Sequence, residues 1–209
     1  DVVLMYYPTS SLAPNFTTTN GDAAKITLVT LGSARLDKGF EKLAEIIPQC
    51  QSSKSRQDLS FVVQGPVKHW GYSSQRAERI LKGTRDVEIL PGKLADLEIQ
   101  SALSRASMQL LPYYRDVYEL RGSAMLFDGC DVGVPVIAPA GTGFAYEVNK
   151  YKLGITFSDF DQIPELINNL SVTEIEVYRK NIETFNQIRN QTMQKIFTAQ
   201  VLPLPTTLV

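Results

Sequence analysis

Histidine is nearly missing from this chain: among 209 residues there is one, His69. That argues against a histidine-built metal centre and against most Ser-His-Asp catalysis. Cysteine is almost as scarce. Cys50 and Cys130 show neither a pairing pattern nor metal-ligand spacing, so two reduced thiols in a cytoplasmic protein are expected. No apolar run approaches the roughly 18 residues of a bilayer-crossing helix. No basic, then apolar, then small-residue leader opens the sequence. Without such a signal, the sequons at Asn15, Asn169 and Asn190 read as chance. A formal net charge of -1 offers nothing to attract nucleic acid or an anionic membrane.

What is present is ordinary globular composition, 44% hydrophobic and 21% charged, enough for one large domain or one domain with appendages. Residues 1–24 decay into Pro, Ser, Thr and Asn and read as a linker or the remnant of a preceding domain. The chain does not begin with Met, which suggests that it was cut from a longer protein. From Lys25 a rhythm of strand and helix sets in. Strands are expected at 26–32, 59–65, 86–90, 107–113, in "VPVIAPA" and at 153–157. Helices are expected at 38–50, 74–83, 95–106, across "GSAMLFDGCDV", in "GFAYEVNKY", at 160–170 and from about 173 to 198. This alternation implies an α/β domain over 25–172, a Rossmann-like parallel sheet with helices on both faces, and a helix and tail over 173–209. If that last helix crosses to another domain, exposed apolar residues such as Ile188 and Phe197 mark the lost contact.

Several strand ends carry residues that a purely structural sheet does not require. Gly32 closes the first strand, with Ser33, Arg35 and Lys38 beyond it; cations beside a helix N-terminus suit a diphosphate, though a solvated loop gives the same pattern. Gly65 ends the second strand, where a plain turn explains it equally well. Gly92 and Lys93 follow the third, as a turn facing a flat base or as a simple loop. Gly122 and Ser123 open a helix whose free amides suit a phosphate. Asp128, further along that helix, either accepts from ribose hydroxyls or faces solvent. Gly141, Thr142 and Gly143 present a turn to the same edge, with Glu147 in the next helix. A tight strand-to-helix connection without a ligand fits that turn too.

The order "LG…KGF", "VVQG", "ILPGKL", "LLPYY", "D…GVPVIA", "GTG…E" over residues 26 to about 170 resembles the nucleotide-sugar-binding C-terminal half of a GT-B glycosyltransferase. Within that fold it is similar to the large retaining family that includes sucrose-phosphate synthase and bacterial polysaccharide mannosyl- and glucosyltransferases. The resemblance implies transfer of a sugar from a UDP-, GDP- or ADP-sugar to an acceptor, with retention, without a metal or other cofactor, in polysaccharide or glycan biosynthesis. It also implies an N-terminal acceptor-binding domain, so that this half alone is inactive or weakly active. Lys38-Gly39 match the family's pyrophosphate-binding Lys-Gly; Ser33 stands at its usual arginine, and Arg35 is the substitute. In the family's Glu, seven residues, Glu motif, Asp128 takes the second place and Leu120 the first, with Glu119 adjacent. By resemblance, catalysis falls to Lys38, Arg35 and Glu119, and donor binding to Gly32, Ser33, Gly65, Lys93, Gly122, Ser123, Asp128, Thr142 and Glu147. The altered Arg and Glu positions leave room for a degenerate, non-catalytic nucleotide-binding or assembly module. A nucleotide-sugar epimerase of GT-B type is a third reading, weakened by the single histidine.

Overall fold

Successive residues of β1 (Ile26–Thr30) point to opposite faces, and both faces are apolar. Ile26 and Leu28 enter one core, while Val29, with Leu31 just beyond the strand, enters the other. In β2 (Leu59–Gln64), Leu59, Phe61 and Val63 join the first core and Val62 the second. A strand apolar on both sides belongs inside a sheet covered by helices on both faces. The computed structural model, which describes residues 25–52, 58–67 and 72–200, shows that sheet. The segment 1–24 with Asn15, His69, the side chain of Phe197 and the tail 201–209 lie outside the described residues.

Six strands, completed by β3 (Val87–Leu90), β4 (Met108–Leu110), β5 (Val136–Pro139) and β6 (Gly154–Phe157), pair in the order β3-β2-β1-β4-β5-β6. Every pairing is parallel. One face carries α1 (Phe40–Ser52), α2 (Tyr72–Lys82) and α7 (Ile163–Asn169), which contribute Phe40, Leu43, Ile47, Leu81, Ile163 and Ile167. The other carries α3 (Asp96–Ser104), α5 (Ala124–Asp131), α6 (Ala145–Tyr151) and α8 (Val172–Gln200), through Leu103, Leu126, Cys130, Val148, Ile182 and Phe185. The chain leaves β1 towards one edge and leaves β4 towards the other. Their carboxyl ends therefore open a crevice at the point where the strand order reverses.

All the expected strands and helices are present, with local differences. A 3-10 turn (Leu36–Lys38) precedes α1, and Gly39 separates the two at φ 67, a left-handed conformation suited to glycine. Lys38 therefore sits in that turn and not in the first turn of α1. A short helix, α4 (Arg115–Tyr118), occupies what the sequence suggests is a plain polar turn. The long α8 opens on a capping box: Ser171 Oγ accepts from the Glu174 amide at 3.2 Å, and the Glu174 carboxylate accepts from the Ser171 amide at 3.0 Å. It packs on this domain at least as far as Arg189, which is fully buried, while Ile188 is 36% exposed.

Candidate functional site

At the carboxyl end of β1, Gly32 adopts φ 93, and its amide donates to Gln64 Oε1 at 2.7 Å. The Gln64 amide nitrogen donates in turn to the Gly92 carbonyl at 2.9 Å. One buried glutamine thus ties together the loops after β1, β2 and β3. A Cβ on Gly65 would fall 2.9 Å from the Leu90 carbonyl oxygen, so strand packing alone already requires that glycine. Lys93, beyond Gly92, is exposed.

Lys38 folds back over this turn. Its Nζ lies 5.3 Å from the centre of the Tyr113 ring, and a Cβ on Gly32 would fall 2.8 Å from it. Burial, then the nearby Arg35 charge, lowers the Lys38 pKa. Among the described residues Lys38 forms no ion pair, and an ammonium short of water and not matched to a carboxylate is prepared for an anion. Arg35 differs. Its guanidinium donates to both carboxylate oxygens of Asp37 at 2.9 and 2.5 Å, and to Tyr118 Oη at 3.2 Å. The Asp37 hydrogen bond raises its pKa. Tyr118 also donates to Asp37 at 3.2 Å, and its ring packs 4.5 Å from that of Tyr113. Burial raises the pKa of both phenols, and the Tyr113 hydroxyl is buried without a hydrogen-bond partner among the described residues. Arg121 lies over the Tyr118 ring, 5.9 Å from its centre. Lys38, Arg35 and Arg121 thus gather round one tyrosine pair and a single carboxylate.

Ser123 caps α5: its Oγ accepts from the Leu126 amide at 3.3 Å. Gly122 is exposed, with open space where a Cβ would stand. Asp128 is exposed on α5, near Asp131 and Asp96; loss of water first, then those carboxylates, raise its pKa. The helix is held by Arg189, whose Nη1 donates to Asp131 at 2.9 Å and whose guanidinium stacks 4.9 Å from the Phe127 ring centre.

In the turn after β5, Gly141 has φ 76, Thr142 Oγ1 donates to the Pro139 carbonyl at 2.9 Å, and the Gly143 amide donates to the Tyr118 carbonyl at 3.0 Å. The Arg115 side chain fills the space beside Gly141, 2.7 Å from where a Cβ would lie. Glu147 is half-buried in the first turn of α6, and burial raises its pKa.

The structure therefore brings Gly32, Ser33, Lys38, Gly122, Ser123 and Thr142 to the crevice edge formed by the loops after β1, β4 and β5, and engages Arg35 with Asp37. Glu119 is exposed at the end of α4, and Leu120 is 94% exposed. Sequence reasoning missed Gln64, Asp37, Tyr113, Tyr118, Arg115 and Arg121. Gln64 alone left a signal, a polar residue ending an apolar strand. The sequence also spells Asp-x-Asp at Asp159-Phe160-Asp161, in a 3-10 turn region after β6. Among the described residues no group of three His, Cys, Asp or Glu side chains is placed to hold a metal ion. At the opposite, amino edge, a groove of about 440 Å³ is lined by Lys25, Thr27, Ser60, Asp86, Glu88 and Arg105. Its charges are paired, Lys25 with Asp86 at 2.9 Å and Arg105 with Glu88 at 3.2 Å.

This architecture, with its crevice at the β1/β4 reversal, is that of the C-terminal domain of a GT-B glycosyltransferase. Residues 130–203 match the family model described as the Glucosyltransferase 3-like C-terminal domain. The C-terminal domain of the Francisella tularensis group 1 glycosyl transferase LpcC is 14% identical, with TM-score 0.65 over 80% of this chain and 87% of that one. WaaG, a glycosyltransferase involved in lipopolysaccharide biosynthesis, is 18% identical, with TM-score 0.61 over 85% of this chain and 47% of its own. The E. coli trehalose-6-phosphate structure bound with UDP-2-fluoro glucose is 9% identical, with TM-score 0.62 over 86% and 45%. This chain spans about half the length of the last two. No curated protein matches the sequence. No helix among the described residues is long and apolar enough to cross a membrane.

Proposed function

We propose that this chain is the donor-binding domain of a glycosyltransferase that moves a sugar from a nucleotide diphosphate sugar to an acceptor hydroxyl. The observation that carries the reading is Lys38: a desolvated ammonium beside a left-handed strand-end glycine, at the point where the sheet order reverses. As the anomeric carbon–oxygen bond breaks, the electron pair leaves with the diphosphate, and a fixed cation at that oxygen stabilises the developing charge. Free amides at the start of α5, beside Gly122 and Ser123, supply donors to the same phosphates. Asp128 takes the ribose hydroxyls. Retention and independence from a divalent metal complete the reading, and the acceptor binds to an N-terminal domain. The cytoplasm is its proposed compartment, consistent with Cys50 and Cys130 as free, buried thiols, both pushed up to about 12 by burial.

One observation favours a second reading, a non-catalytic nucleotide-binding or assembly module. Leu120 projects into solvent at the usual glutamate position, and Glu119 beside it is exposed at the end of α4. Calorimetric titration with UDP, GDP and ADP, with and without a chelator, tests the donor reading. Binding of at least one, insensitive to chelator, supports it. Absence of binding by all three removes it, and a large loss with chelator moves the chain to a metal-dependent class.

A further inference from the structure

The cation inventory of the crevice is not what the sequence suggests. Arg35 stands nearest the place of the expected phosphate-binding arginine, yet it is spent on Asp37 and Tyr118 through three hydrogen bonds. To reach a diphosphate it would have to abandon a two-pronged ion pair, leaving Asp37 facing the incoming negative charge. Two cations of the cluster remain. Lys38 lies over Tyr113, and Arg121 lies over Tyr118 on the neighbouring ring of the same stacked pair. Arg121 is exposed and forms no ion pair among the described residues. Its backbone is fixed: its amide donates to the Tyr118 carbonyl at 3.2 Å, and Gly143 packs so closely that a Cβ there would fall 2.8 Å from the Arg121 carbonyl oxygen. It also stands two residues before Ser123, the cap of α5, on the loop whose amides face the crevice.

We propose that Arg121 is the diphosphate-binding arginine of this chain, acting with Lys38, and that Arg35 instead positions Tyr118 through Asp37. A guanidinium over an aromatic face keeps its edge N–H groups available for two phosphate oxygens, which suits a planar fork better than an ammonium. The inference rests on the donor-binding reading above, and the same titrations separate the two. UDP, GDP, ADP and inorganic pyrophosphate are titrated into the wild type, Arg121→Gln and Arg35→Gln, with thermal unfolding showing that each variant is folded. The expected result is a loss of at least tenfold in nucleoside diphosphate and pyrophosphate affinity for Arg121→Gln, and a smaller loss for Arg35→Gln. Wild-type binding that Arg121→Gln leaves within twofold, while Arg35→Gln loses tenfold, overturns the assignment and leaves the donor reading standing. Pyrophosphate binding that depends on Arg121, with no nucleotide bound, keeps the anion site and removes the donor reading. A wild type that binds neither probe removes both.

Discussion

Gly39 and the carbonyl oxygen of Pro112 approach so closely that any Cβ on Gly39 would collide with that oxygen. This contact fixes the 3-10 turn carrying Lys38 against the loop that follows β4. Gly39 also sits at φ 67, where a side chain is strained. Gly39→Ala is expected to lower stability by about 3 kcal/mol or more, since strain and overlap add. Gly122→Ala, with open space around it, is expected to change stability by less than about 0.5 kcal/mol. Denaturant titration of the two variants checks the contrast.

Lys38 gives a pH dependence with a definite sign. Burial lowers its pKa, and a bound diphosphate favours the charged form. Affinity is therefore full below the folded-state pKa and is lost as pH rises through it, at a lower pH than for an ordinary lysine. Lys38→Arg should move that alkaline loss upward, and Lys38→Ala should weaken binding by roughly 1.5–3 kcal/mol. Calorimetry across alkaline pH reads both.

The anchoring of α5 is a third test. Arg189 is fully buried and bonds Asp131, whose side chain is 12% exposed. Arg189→Met strands a carboxylate and is expected to cost about 3–5 kcal/mol. Adding Asp131→Leu should recover most of that loss, because the unpaired charge goes with it. Thermal and denaturant unfolding of the single and double variants measure the recovery.

The fold was legible because its signals are local. Strands apolar on both faces, such as Leu59–Gln64, and helices with a single apolar stripe, such as Phe40–Ser52, state their own period. The site was legible only in part. Glycines at strand ends and Lys38 could be marked, since the turn chemistry is written in adjacent residues. Which cation is free could not. Arg35 is engaged by Asp37, two residues away, but also by Tyr118, far along the chain, and Arg121 joins the cluster through the same ring. Such pairings arise from how the loops after β1 and β4 meet. Gln64 was missed for a similar reason: its two partners, Gly32 and Gly92, belong to neighbouring strand ends.

Asp128 supplies a fourth prediction. If its carboxylate accepts from the ribose, Asp128→Asn should weaken a nucleoside diphosphate by ~1–2 kcal/mol and scarcely affect the 2′,3′-dideoxy analogue. Partial loss of water at this otherwise exposed carboxylate, then its acidic neighbours, raise the Asp128 pKa, so the ribose-dependent part of binding should fade on acidification at a higher pH than for an ordinary aspartate. A mutation-by-ligand cycle isolates the coupling, and a coupling of zero at full affinity places Asp128 outside the pocket.

The central claim is where the ligand binds, and amide chemical-shift mapping of the labelled chain during titration with the tightest-binding of UDP, GDP and ADP tests it most directly. The account predicts that the largest shifts fall on Gly32 to Gly39, Arg121 to Leu126 and Gly141 to Gly143, the loops at the carboxyl ends of β1, β4 and β5. Shifts concentrated instead on Lys25, Thr27, Ser60, Asp86 and Arg105, around the groove at the amino edge, would contradict it.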